Sequence, residues 1–210
     1  MNLVYLFQNS PEWELEHSIK LVKKHFPTAN VYTIGDKPML KGVEKITHKQ
    51  KGTNRATRVT SSILHACDLF DEFIIMYHDI FLNQWYDFNE RYYRGELSNR
   101  YQKNNYQLHV NNTYHFLNYH KKTVYNYECH QPFKINSAKF KELMEIVNWE
   151  FHHLPKSLYM NFYEKPTKEI PNLKTNEPSK ARLHFELLSC FSSCENINPK
   201  IKEMILEACK

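Results

Sequence analysis

The sequence predicts an α/β protein with a mostly parallel central sheet flanked by helices and closed by C-terminal helices. Two patterns predict it. Short runs rich in β-branched and aromatic residues alternate with stretches of helical period up to Tyr77. One such run, FIIMYHDIFL from Phe73 to Leu82, breaks at Tyr77-His78-Asp79 and then resumes as apolar sequence. Alternation of this kind builds parallel strands joined by right-handed helical crossovers.

Asn2 to Phe7 (NLVYLF) reads as the first strand. A helix follows, with Ser10 as cap, Pro11 at the first helical position, and Glu12, Glu14 and Glu16 facing the positive end of the dipole. Leu15, Ile19 and Val22 form its buried stripe, and Lys20, Lys23, Lys24 and His25 occupy its last turns. Ala29 to Ile34 is a second strand, stopped by the GDKP turn, and Val43 to Ile46 a short third. Thr53 to Leu69 is a helix, with Ala56, Val59, Ile63 and Ala66 at three- and four-residue steps, and Phe73 to Tyr77 is the next strand.

Beyond that point the pattern loosens. Gln84 to Tyr106 is polar and aromatic with no clean period, and reads equally as a long active-site loop or a surface segment. Leu108 to Tyr119 is helical, and Thr123 to Cys129 (TVYNYEC) alternates like a strand. Ser137 to Val147 is a helix, Lys165 to Lys180 a lysine- and proline-rich loop, and helices from Ser179 to Cys190 and Pro199 to Cys209 end the chain. The expected organisation is one domain over residues 1–164, with residues 165–210 as a loop and helical extension packed on it.

Composition bounds the function. The chain has 210 residues, 41% hydrophobic and 24% charged, as in ordinary globular proteins. No apolar run is long enough to span a bilayer, and the start has no basic segment of a signal peptide, so a cytoplasmic location is expected. Five scattered cysteines suit reduced thiols. Cys190 and Cys194, four apart on an expected helix, have the spacing of a zinc pair but lack a second close pair. The net charge of +5 is compatible with an anionic partner without requiring one.

Four glycines leave no phosphate loop and no dinucleotide fingerprint, and no serine-hydrolase elbow is present. Two stretches remain that could carry chemistry. His78 and Asp79 either surface with the end of their strand or form a site at the carboxyl end of a sheet strand, where open α/β sheets bind ligands. Glu128 and His130 share a face if NYECHQPFKI is a strand, and could there divide the roles of ligand and base, or lie on a partly exposed edge.

Several segments, in order from Asn2 to Pro166, resemble a group of small bacterial and phage glycosyltransferase-like proteins. They are NLVYLFQNSPEWELEHSIKLVKKHFP, VYTIGDKP, KGTNRATRVTSSILHAC, FIIMYHDIFL, YECHQPFKINSAKFKEL and KSLYMNFYEKP. That group has a GT-A, Rossmann-like fold and is distantly similar to the Stealth sugar-phosphate transferases. The resemblance implies transfer of a sugar from a nucleotide-diphospho-sugar donor to an acceptor hydroxyl. The acceptor would be a glycan or a modified nucleic acid, in a bacterial or phage-infected cell.

It also implies a divalent cation, Mn2+ or Mg2+, held against the donor's diphosphate. Asp79 aligns with the last aspartate of an Asn-Asp-Asp-type metal motif, His130 with a later histidine ligand, and His78 stands beside them. Glu128 is the implied base, with Asp79 the other catalytic residue. Asn9, Ser10, Asp36, Lys37, Lys51, Asn54 and Arg55 fall where the donor binds. Tyr77-His78-Asp79 lacks one carboxylate of the motif, which leaves open a manganese-like ion, weak binding, a metal-free site, or loss of catalysis. The alternative is a non-catalytic nucleic-acid- or glycan-binding protein on the same scaffold, with Lys45 to Arg58 as its basic contact.

Overall fold

In chain order the elements are β1 (Asn2–Leu6), α1 (Glu12–His25), β2 (Asn30–Ile34), β3 (Glu44–Ile46), α2 (Arg55–Cys67), β4 (Glu72–Tyr77), β5 (Ile80–Leu82) and β6 (Tyr92–Tyr93). There follow α3 (Asn105–Tyr119), β7 (Phe133–Asn136), α4 (Ser137–Ile146), α5 (Pro155–Tyr163), β8 (Lys168–Glu169), β9 (Lys174–Thr175), α6 (Pro178–Leu187), β10 (Cys190–Ser193) and α7 (Pro199–Ala208). The computed structural model describes residues 1–6, 12–35, 40, 43–98, 105–194 and 196–210.

The main sheet has the order β3-β2-β1-β4-β7, with the first four strands parallel and β7 antiparallel to β4. From β1 the chain winds outward through α1 to β2 and β3, and α2 then carries it back across to β4 on the other side of β1. Strand order therefore reverses between β1 and β4, which end side by side with Leu6 opposite Tyr77. Such a reversal opens a crevice at the carboxyl ends of the two strands.

Side chains alternate across the strands, and both faces are covered. Val4, Leu6, Phe73 and Ile75 pack with Val59, Ile63 and Ala66 of α2 and Phe140 and Leu143 of α4. Leu3, Tyr5, Ile74 and Met76 pack on the opposite face with Leu15, Ile19 and Val22 of α1. Helix α2 starts with a capping box: Asn54 Oδ1 accepts from the Thr57 N–H at 3.1 Å, and the Asn54 N–H donates to Thr57 Oγ1 at 3.2 Å.

A second sheet, β5-β10-β9, continues from the end of β4; β10 is antiparallel to β5 and parallel to β9. Phe81 of β5 and Phe191 of β10 stack at 5.1 Å, and together with Leu21, Ala181, Ile201 and Ile205 they tie α1, α6 and α7 into a third apolar cluster. Tyr92–Tyr93 and Lys168–Glu169 form a small parallel pair.

Three expectations are corrected here, and one element is added. Thr123 to Cys129 is no strand: Tyr125 makes one bridge to Glu96, while its N–H and C=O are taken by the Asn161 side chain at 2.9 and 2.8 Å. Pro155–Tyr163, unassigned from sequence, is a helix. The Lys165 to Lys180 loop contains β8 and β9. The helix expected through Cys190 stops at Leu187, and Cys190 lies on β10, so Cys190 and Cys194 share no helix. All five cysteines are free. No helix among the described residues is long and apolar enough to cross a membrane.

Candidate active site

At the end of β4 the chain turns through His78 and Asp79 and enters β5. The register of the second sheet builds the site. Ile80, next to Asp79, lies opposite Ser192 of β10, which in turn lies opposite Lys174 of β9. Residues far apart in sequence thus line up beside one carboxylate. Asp79 is buried, and its Oδ2 accepts hydrogen bonds from Lys174 Nζ at 3.1 Å and Ser192 Oγ at 3.0 Å. Its backbone carbonyl accepts from the Ser193 N–H at 3.0 Å. Burial pushes the Asp79 pKa up, but the charges of His78, Lys174 and His130 with the Lys174 hydrogen bond outweigh it, and the carboxyl is held below its ordinary value.

His78 faces α1, with Nε2 3.5 Å from Glu14 Oε2. Glu14 is itself buried and accepts from Ser193 Oγ at 2.7 Å. Burial lowers the His78 pKa, so the imidazole is neutral at pH 7. His130 adopts φ 55°, a left-handed conformation that costs a non-glycine residue about 1–2 kcal/mol. Its pKa falls to about 4 through burial, opposed by Asp79 and reinforced by Lys174, Lys156 and Arg94. Asp79 and His130 therefore act on each other electrostatically, with three cations around the same ring.

Glu128 and His130 do not share a strand face, because that segment is irregular and pairing resumes only at Phe133. Glu128 is instead positioned by α5. The cap residue of that helix, Leu154, has no side-chain oxygen to offer, and Glu128 Oε1 accepts from the Ser157 N–H at 3.2 Å and Ser157 Oγ at 2.7 Å. Beside it Lys156 is buried, donating to the Gln131 carbonyl at 2.9 Å and lying 5.1 Å over the Phe133 ring, with a pKa lowered by burial. The Tyr77 pKa is raised by burial first, then by the charges of Glu128 and Asp79 and against that of Arg55.

Of the expected donor-binding residues, Arg55 opens α2 with an exposed side chain whose charge reaches Tyr77 and His78. Asn54 caps that helix, and its amide also meets His152 Nδ1 at 3.3 Å. Lys51 is exposed, with its backbone N–H bonded to Ser61 Oγ at 3.1 Å. Asn9, Ser10, Asp36 and Lys37 lie outside the described residues. A cavity of about 410 Å³ lined by Lys23, Asn30, Val31, Tyr32 and Glu44 lies at the amino ends of β2 and β3, away from this cluster.

No protein-family model matches the sequence, and no curated protein matches it. Solved structures do match. The galactosyltransferase LgtC, in complex with donor and acceptor sugar analogs, superposes over 100% of this chain and 95% of its own at TM-score 0.50 and 9% identity. An active-site mutant of LgtC superposes at 0.50 and 10% identity over 99% of this chain and 95% of that one. The glycosyltransferase GlyE of Streptococcus pneumoniae TIGR4 gives 0.46 at 12% identity, and this chain spans 59% of its length. The fold is GT-A.

On that GT-A scaffold the cation implied by the resemblance can be tested against the residues present. A divalent ion needs several oxygen or nitrogen ligands converging with room between them. Among the described residues no group of three His, Cys, Asp or Glu side chains is arranged to hold a metal. The carboxylate best placed for one is already engaged by an ammonium and a hydroxyl, and His78 faces Glu14. The side chains as arranged do not fit a divalent ion. Sequence reasoning missed Glu14, Lys174, Ser192 and Ser193. Glu14 read as a helix-dipole acid, and the other three lie on strands too short to carry a period.

Proposed function

We propose that the protein is a glycosyltransferase that moves a sugar from a nucleotide-diphospho-sugar to an acceptor hydroxyl. One observation carries the reading: on a GT-A fold, the carboxylate of Asp79 and the charged groups coupled to it gather at the carboxyl ends of β1 and β4, where strand order reverses. In the reaction the bond from the anomeric carbon to the phosphate oxygen breaks, its electron pair leaving with the nucleoside diphosphate. The acceptor oxygen bonds to that carbon, and its proton passes to a base. Glu128 is proposed as that base, oriented by Ser157. Arg55 and Asn54, at the start of α2, are proposed to face the donor. Lys174 and Ser192, both within residues 165–210, are proposed to belong to the site through their hydrogen bonds to Asp79.

A thermal-shift screen of UDP-, GDP-, CMP- and dTDP-sugars, with and without manganese, tests the reading. At one hundred times its dissociation constant a ligand adds ~2.7 kcal/mol of stability. One nucleotide-sugar and its parent nucleotide are expected to raise the melting temperature, and turnover should release that nucleotide. If no nucleotide shifts the transition while nucleic acid binds with steep salt dependence, the reading is wrong and the scaffold serves as a binding protein.

A further inference from the structure

The cation already present at the buried acid is Lys174. Its ammonium donates to Asp79 Oδ2 at 3.1 Å, and the side chain keeps 28% of its exposure against 9% for Asp79, so the lysine faces outward from the carboxylate that anchors it. An ammonium carries three N–H donors, and this bond uses one. The Lys174 charge reaches both His78 and His130. Arg94 acts on the same His130 ring, and its Nε is buried with no hydrogen-bond partner among the described residues, though Nη2 lies 3.3 Å from Tyr106 Oη. Lys174 and Arg94 suit an anionic ligand, because each phosphate oxygen can accept from an N–H that already carries positive charge.

Resting on the transferase reading, we propose that Lys174, held by Asp79, is the cation that meets the donor's diphosphate, and that donor binding requires no divalent metal. When the sugar–phosphate bond breaks, the charge gathering on the departing diphosphate falls on Lys174. Asp79 keeps the ammonium in place, and Ser192 fixes the carboxylate oxygen that does so.

Calorimetric titration of the wild-type protein with UDP, GDP, CDP and dTDP, in chelator and again with manganese, tests this directly. The expected result is one nucleoside diphosphate binding with the same dissociation constant in both, within about two-fold. Lys174→Met should weaken it by at least about ten-fold while the matching nucleoside binds as before, and Lys174→Arg should retain part of the affinity. Because Lys174→Met leaves a buried carboxylate without its counter-ion, the paired variant Asp79→Asn with Lys174→Met restores neutrality. It should melt near the wild type and still lose the diphosphate. Binding that appears only with manganese overturns the proposal and leaves the transferase reading standing. Diphosphate affinity unchanged in the lysine variants overturns it as well. If no nucleotide binds in either condition, the transferase reading itself fails and the proposal with it.

Discussion

Lowering the pH from 7.5 to 5 is expected to destabilise the fold through two partly buried imidazoles. His153 packs against Phe116 with ring centroids 5.6 Å apart, and its Nδ1 is buried with no hydrogen-bond partner among the described residues. Burial, then the charges of His109 and His152, hold its pKa at about 4. His130 is held at about 4 by burial and the surrounding cations. In the unfolded chain both titrate near 6.5, so between 6.5 and 4 the unfolded state binds more protons and stability is lost as pH falls. Asp79, held below 3.8, contributes its own loss only under that value. Integrating the linkage relation gives about 2 kcal/mol per histidine by pH 5, or roughly 4 for the two. That is a large part of a typical 5–15 kcal/mol, and near ten degrees of melting temperature for a chain this long. His25, His78, His109 and His184 are shifted in the same direction and steepen the slope.

Urea melts at fixed ionic strength across that range measure the slope. His153→Phe removes one of the two titrating groups and a buried unpaired nitrogen together. It should cut the loss between pH 7.5 and 5 by about 2 kcal/mol while holding or raising stability at pH 7.5. A free energy of unfolding that stays flat from pH 7.5 to 5, or a variant that keeps the full slope, would refute the reasoning.

Two further substitutions probe the elements that carry the site. Ser157→Ala removes the 2.7 Å donor to Glu128 and leaves the backbone N–H at 3.2 Å, so the free energy of unfolding should drop by about 1–2 kcal/mol, read as a lower urea midpoint with an unchanged m-value. Gly52→Ala places a Cβ 2.2 Å from Thr57 Oγ1 at a φ of +124°, breaking the capping box of α2; a loss of about 2 kcal/mol or more is expected, and a loss under about 0.5 contradicts this account of the turn.

The elements up to Tyr77 were legible because their signals are local. Val59, Ile63 and Ala66 recur at helical steps and are buried against the sheet, and the alternating residues of NLVYL divide between its two faces. The later elements depend on partners distant in sequence. TVYNYEC alternates like a strand and bonds along one edge to Arg94, Gly95 and Leu97, yet on its other edge Asn161, 36 positions away from Tyr125, takes the backbone groups a second neighbour would have used. Helix α5 has a leucine where a capping side chain is expected, and its cap, Glu128, lies 29 positions upstream of Ser157. No window of local sequence contains both halves of either arrangement.

The same distinction holds at the candidate site. Asp79 stood out because an acid at the end of an apolar strand needs a reason, since an unpaired buried charge is costly. The reason lies 95 positions on, at Lys174. Burial lowers the pKa of both His78 and His130, which leaves a lysine as the stronger cation at neutral pH. Lys174 is therefore the one cation hydrogen-bonded to Asp79 among the described residues. Its segment, KPTKEIPNLKTNEPSK, reads as a solvated linker, and the two residues of β9 reach the site through pairing with β10 alone. A carboxylate that reads in the sequence as a metal ligand lacking its partners is, in the folded chain, hydrogen-bonded to an ammonium that spends one of its three donors there.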